Sequence, residues 1–172
     1  MLDLLRNRRS VRKFQDRPIE EDKIKLLTEA LVRSPTSRAI NPWEFIVIND
    51  VDMIQDLSRC KKQGAGFLAT TSLAIVILGD TTVSDTCIED CSIAAITLQY
   101  AAESLELGSC WCQVRLRAHN DEMSAEEYIR ERLGIPEHYL VEAIVGIGYP
   151  ADEKEGHPEE SLQREKVRWN SY

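Results

Sequence analysis

The chain has 172 residues and a formal net charge of −8, with 43% of residues apolar and 29% charged. That balance predicts a single globular domain over residues 1–172 with its own core, and it excludes a disordered chain. The acidic total disfavours nucleic acid as a partner; with no apolar run of membrane-spanning length and no secretory leader, a cytoplasmic protein without a membrane partner is expected.

In chain order, MLDLLRNRRS (residues 1–10) reads as an amphipathic helical turn running into a loop. The stretch RNRRSVRKF, residues 6–14, carries five positive charges in nine residues. Residues 1–38 hold ten Lys/Arg against six Asp/Glu, so positive charge is concentrated at one end of an acidic chain. Arginine presents a planar fork of donors suited to phosphate oxygens, and Ser10 adds a hydroxyl beside Arg8, Arg9 and Arg12. The alternative is a solvated basic turn balanced by Asp3, Asp16 and Asp50.

EEDKIKLLTEALVR, residues 20–33, spaces Ile24, Leu27, Ala30 and Leu31 for a helix. The loop SPTSRAINP follows, then WEFIVI (43–48) as a buried strand, a short helix over 51–60, and a flexible loop at KKQGAGF (61–67). LAIVIL (73–78) is a strand apolar on both faces, and residues 88–107 form a long helix apolar round much of its circumference, hence interior. CWCQVRLR (110–117) alternates, with Cys110, Cys112, Val114 and Leu116 on one face. Residues 124–133 open with a Ser124/Glu127 capping box and stop at Gly134-Ile135-Pro136, and LVEAIVGIGYP (140–150) is a last core strand.

Beyond Pro150 the chain is acidic and irregular, and it ends in an arm bearing Trp169 and Tyr172. Aromatics on an isolated arm call for a cover, and a second subunit would supply it. Arg164 and Lys166 lie two apart, so an extended arm projects both to one side. Five helices and four strands, with a helix between successive strands, predict an α/β or α+β layered domain around the long helix. The five cysteines (Cys60, Cys87, Cys91, Cys110 and Cys112) are odd in number and lack C-x-x-C spacing, so they read as small buried hydrophobes; no metal site is expected.

Four pieces in order make the sequence similar to the FMN-dependent nitroreductase family. Arg8-Arg9-Ser10-Val11-Arg12 matches its R-R-S-x-R opening, and Ser34-Pro35-Thr36-Ser37-Arg38-Ala39-Ile40-Asn41-Pro42-Trp43 matches its S-P-S-S-x-N-x-Q-P-W loop. EDCSIAAITLQYAAESLELGSCWCQV resembles its central helix and following strand, and GIGYPADEK followed by Arg164 and Lys166 resembles its ending.

The resemblance implies an α+β sandwich with a mostly antiparallel sheet flanked by helices, and a homodimer with an FMN in each of two interface sites. The C-terminal arm, 161–172, would be swapped onto the partner. It implies that Arg8, Arg9, Ser10 and Arg12 hold the phosphate and ribityl chain, with Arg164 and Lys166 completing the cage. Pro35, Thr36 and Ser37 of the partner chain would line the flavin, with Ala39 and Asn41 near its polar edge. Gln113 and Val114 match positions whose backbone faces the reactive edge of the ring.

The implied activity is ping-pong electron transfer from NADH or NADPH to an electron-poor acceptor such as a nitroaromatic or quinone, with no dedicated acid–base residue. His119, His138 and His157 read as surface residues. Three departures stand out: Ala39 replaces a usual asparagine, Asn41 a glutamine, and Glu106 a glycine. Those at Ala39 and Asn41 leave room for a flavin carrier or sensor without turnover. A regulatory domain binding an anion or metal through the cysteine pairs is a third reading.

Overall fold

Leu73–Asp80, the strand that the sequence marks as apolar on both faces, lies inside a sheet covered on both sides. The computed structural model describes all 172 residues and has the five expected helices and four strands. These are α1 (Leu2–Asn7), α2 (Glu21–Val32), β1 (Trp43–Ile48), α3 (Val51–Leu57), β2 (Leu73–Asp80), α4 (Cys87–Ser104), β3 (Gly108–Gln113), α5 (Ala125–Leu133) and β4 (Tyr139–Gly148). The strands form one antiparallel sheet in the order β1-β2-β4-β3. The fold is the α+β sandwich that the sequence predicts.

One sheet face packs Leu73, Ile75, Ile77, Val145 and Ile147 against Leu27 and Leu31 of α2 and Cys91, Ala94, Ala95 and Leu98 of α4. The opposite face packs Ala74, Val76, Cys112 and Ile144 against Ile54 and Leu57 of α3 and Tyr128 and Ile129 of α5. Burying a Leu or Ile side chain in these layers is worth about 2 kcal/mol apiece. No helix is long and apolar enough to cross a membrane. All five cysteines are free and buried.

Helix α3 ends at Leu57 rather than 60 and β4 at Gly148 rather than 150; three further departures have a visible local reason. The predicted strand 110–117 ends at Gln113, because the next residues turn: Val114 and Arg115 both donate their N–H groups to the Glu142 carbonyl, at 3.3 and 3.1 Å. Leu116 therefore leaves the apolar face and stands exposed with φ 58°. Helix α4 stops at Ser104 rather than 107. There Glu106 takes φ 62°, while its N–H reaches the Glu103 carbonyl (3.1 Å) and that of Leu107 the Ala102 carbonyl (2.9 Å). That is a Schellman cap, whose left-handed position favours glycine. Arg164–Lys166 closes a single 3₁₀ turn rather than an extended stretch, so the two side chains are not presented side by side as on a strand.

Candidate functional site: a cationic segment on the edge of the sheet

Beyond β3 the sheet edge is covered by the N-terminal segment. Ser10 bridges Ser109 in parallel, and the Val11 N–H donates to the Ser109 carbonyl at 3.0 Å. The close approach depends on missing side chains. Gly108 and Gly148 are cross-strand partners, and a Cβ on Gly108 would come within 2.8 Å of the Val11 side chain. One on Gly148 would come within 2.9 Å of Phe14.

Position along this segment decides what each cation does. The Arg9 guanidinium donates to the Glu155 carbonyl at 2.6 Å, Val11 packs on Gly108, and Lys13 pairs with Asp152 at 3.2 Å. Those three side chains are used within the protein. Arg8 and Arg12 form no ion pair and donate no side-chain hydrogen bond, in a chain where most cations have a carboxylate partner. Burial pushes the Cys110 thiol up, and Arg12, the Ser10 hydroxyl and Lys154 pull it part of the way back. Burial likewise raises the Glu103 carboxyl at the end of α4, and the Arg8 charge partly offsets it.

Lys154 is a member of this cluster to which the sequence reading gave no role. Its Nζ donates to the Ser10 carbonyl at 2.9 Å. The only signal was its place in GIGYPADEK. Arg9 instead borders a cleft of about 570 Å³ with Glu103, Glu106, Asp152, Glu153 and Glu155. Lys154 borders the same cleft, but so acidic a lining repels phosphate.

The second predicted segment is strained and firmly tied. Arg38, Ala39 and Asn41 all have φ 54°, an arrangement that costs about 1–3 kcal/mol at each non-glycine residue. The Thr36 hydroxyl donates to Asn41 Oδ1 (2.8 Å) and accepts from the Asn41 N–H (3.1 Å). Asp90, buried in the first turn of α4, accepts from the Ser37 N–H at 2.9 Å and from the Thr86 hydroxyl at 3.3 Å. Pro35 and Ala39 are exposed, while Thr36 and Ser37 are half-buried.

At the end of β3, Trp111 Nε1 donates to Gln113 Oε1 (2.9 Å), and Gln113 Nε2 donates to the Arg115 carbonyl (3.1 Å). Lys61, from the loop read as flexible, donates to the Gln113 carbonyl at 2.9 Å. Val114 is buried and its N–H is already engaged by Glu142.

The two ends of the chain do approach one another. A Cβ on Gly156 would collide with the Arg6 carbonyl, and a cleft between α1 and the arm is lined by Leu5, Arg6, Asn7, Leu162 and Arg164. Arg164 pairs with Glu159, and Lys166 has no ion pair. Neither touches Arg8 or Arg12 within this one chain. His138 and His157 are exposed, and His119 stacks on Tyr128 with ring centroids 4.2 Å apart.

Comparison with known proteins finds relatives in both sequence and fold. The model of the Nitroreductase family matches residues 5–69 and 65–149. A protein of Archaeoglobus fulgidus with the provisional name NADH dehydrogenase/NAD(P)H nitroreductase is 36% identical, over 90% of this chain and 87% of its own. An NADPH-dependent oxidoreductase of Staphylococcus saprophyticus is 28% identical, over 96% of this chain and 70% of its own. Among solved structures, an FMN-dependent nitroreductase from Clostridium difficile R20291 superposes with a TM-score of 0.98, at 42% identity, over 100% of both chains.

Proposed function

The chain belongs to the nitroreductase family, and from that premise we propose that it is an FMN enzyme passing electrons from NADH or NADPH to a small electron-poor acceptor such as a nitroaromatic or quinone. The observation that carries this reading is the pair Arg8 and Arg12. Both lack a carboxylate partner and stand with Ser10 and Lys154 at one sheet edge of an acidic protein. Uncompensated guanidinium groups beside a hydroxyl suit a phosphate dianion, so the residues present fit FMN. FMN, when bound, supplies the redox chemistry.

The chain's own residues do the rest. Arg8, Ser10, Arg12 and Lys154 hold the phosphate end and fix its register. The Arg9 side chain is turned to Glu155 and contributes only through its backbone. Gln113 and Val114 present the end of β3 to the ring, where fixed dipoles favour negative charge developing on it. Donor and acceptor occupy the same open face in turn, which gives ping-pong kinetics, and positioning at stacking distance supplies much of the rate.

Two copies make the site. Asp90, which anchors the 34–41 loop, and Glu103, beside Arg8, lie thirteen positions apart on α4, roughly 20 Å along a straight helix. That separation supports a site in which Pro35, Thr36, Ser37, Ala39 and Asn41 serve the partner's flavin rather than their own. Leu2, Leu5, Leu162, Val167, Trp169 and Tyr172 are exposed on the single chain. A second copy that receives the 161–172 arm covers them and brings Arg164 and Lys166 to the phosphate.

The mutual hydrogen bonding of Thr36 and Asn41 favours a second reading, because both leave fewer groups for the ring. A carrier or sensor binds FMN but is not bleached by NAD(P)H without oxygen, whereas the enzyme is bleached within the mixing time. The first test is the visible spectrum of the purified protein. Flavin absorption, with FMN as the released cofactor and weaker binding by Arg12→Ala, is expected. A protein that stays colourless in excess FMN overturns the reading.

A further inference from the structure

Between β2 and β4 the register slips by one residue: Ile77 faces Ala143, but Leu78 faces Val141. Glu142 is the extra residue of this bulge, a device that re-aims a side chain and recurs beside active sites. Its carbonyl is the shared acceptor for the Val114 and Arg115 N–H groups, so the bulge ends β3 and sets its last turn. Its side chain is 5% exposed, its Oε2 has no hydrogen bond, and the nearest cation, Arg115 Nε, lies 3.9 Å away. That is too long for a hydrogen bond and close enough to respond to charge.

We propose that Glu142 is a positioning residue for the end of β3, fixing the Val114–Arg115 turn through its carbonyl and the place of the Arg115 guanidinium through its carboxyl. The polar run is continuous. Trp111 donates to Gln113, Gln113 donates to the Arg115 carbonyl, and Arg115 faces Glu142. Burial raises the Glu142 carboxyl and Arg115 lowers it in part; Glu126 of α5 raises it further, the Gln113 side chain lowers it, and Glu89 of α4 raises it again. Cys87 and Cys91 of α4 also face it, and each is raised in turn by the Glu142 charge.

A protonated Glu142 leaves Arg115 where it is. Loss of the carboxyl proton leaves a buried negative charge in the field of the Glu126 and Glu89 carboxylates and draws the guanidinium inward. The turn that carries Gln113 and Val114 shifts with it. The importance of that turn for FMN rests on the proposed function, but the titration of Glu142 does not.

The test uses flavin-free protein with Trp111 as its sole tryptophan, made by Trp43→Phe and Trp169→Phe. Its fluorescence is followed from about pH 5 to about pH 9. One transition above the ordinary carboxylate range is expected, absent from Glu142→Gln and from Arg115→Met. The same transition in Glu142→Gln, or none in the parent, overturns the inference. In the full protein, FMN affinity is expected to fall about tenfold across that transition, the equilibrium effect of one hydrogen bond, and to stay level in Glu142→Gln. Equal profiles with and without Glu142 also overturn it. A parent that binds no FMN at any pH refutes the proposed function instead, and the fluorescence arm still decides the role of Glu142.

Discussion

Gly108→Ala should loosen both the fold and the cofactor, because the new methyl has no room. Its carbon would stand 2.8 Å from the Cβ and from one methyl of Val11, and 3.0 Å from the other. Val11 cannot swing aside: it is 7% exposed and its N–H is bonded to the Ser109 carbonyl. Forcing a methyl into such a contact costs about 1–3 kcal/mol. The N-terminal segment must lift, which carries Ser10 and Arg12 away from β3. Val11→Ala alone removes two methyl groups, a loss of about 1.6 kcal/mol at ~0.8 per group. In the double variant the contacts with the two Val11 methyls are gone while the 2.8 Å contact with the Cβ of residue 11 stays, so the relief is partial and the pair should be more stable than the sum of the singles by about 1 kcal/mol. Urea unfolding of flavin-free protein measures this, and FMN titration of the same four proteins should follow the same order. Additive effects within about 0.5 kcal/mol, or wild-type FMN affinity in Gly108→Ala, would refute the reasoning.

Glu106→Gly should raise stability by about 0.5–1 kcal/mol, read as a higher urea midpoint. Relief of a left-handed φ of 62° is partly offset by the extra freedom of the unfolded chain. Asp90→Ala removes a charged acceptor from the Ser37 N–H and should cost about 1.5–3 kcal/mol, with FMN affinity falling as the 34–41 loop relaxes. Asp90→Asn keeps an acceptor oxygen and should lose distinctly less in the same titration. The Glu20 carboxyl is held down at about 2, chiefly by the Tyr149 hydroxyl and then by its own backbone N–H and Arg17. A depressed carboxylate stabilises the fold above its ordinary value of 4.5 and loses that contribution as pH falls toward about 2. Tyr149→Phe should therefore move acid unfolding, followed by circular dichroism, to higher pH; an unchanged midpoint would exclude the link.

The elements were legible because burial and chain period agree over most of the sequence. β2, apolar on both faces, could only be an interior strand, and Ser124/Glu127 announced α5 through a capping box that is formed from both sides. What the pattern could not show was every feature that depends on a distant partner. β3 was read four residues too long because nothing local reveals that the Glu142 carbonyl turns the chain at Val114. The replacement of glycine by Glu106 was visible, but its meaning needed the cap geometry. The R-R-S-x-R run stood out as a charge cluster, yet Arg9 is turned to the Glu155 carbonyl, and Lys154 joins Ser10 from the segment that follows β4. Both outcomes depend on the segment running beside β3, a fact of topology rather than of composition.

The segment that bridges Ser109 is also what closes β3 to neighbours. Without it the outer rim of that strand would offer its unpaired amide groups to any other extended peptide, a template for aggregation. On the proposed function, proteolytic loss of the residues ahead of Val11 would take Arg8 and Ser10 from the phosphate and uncover that rim in the same event.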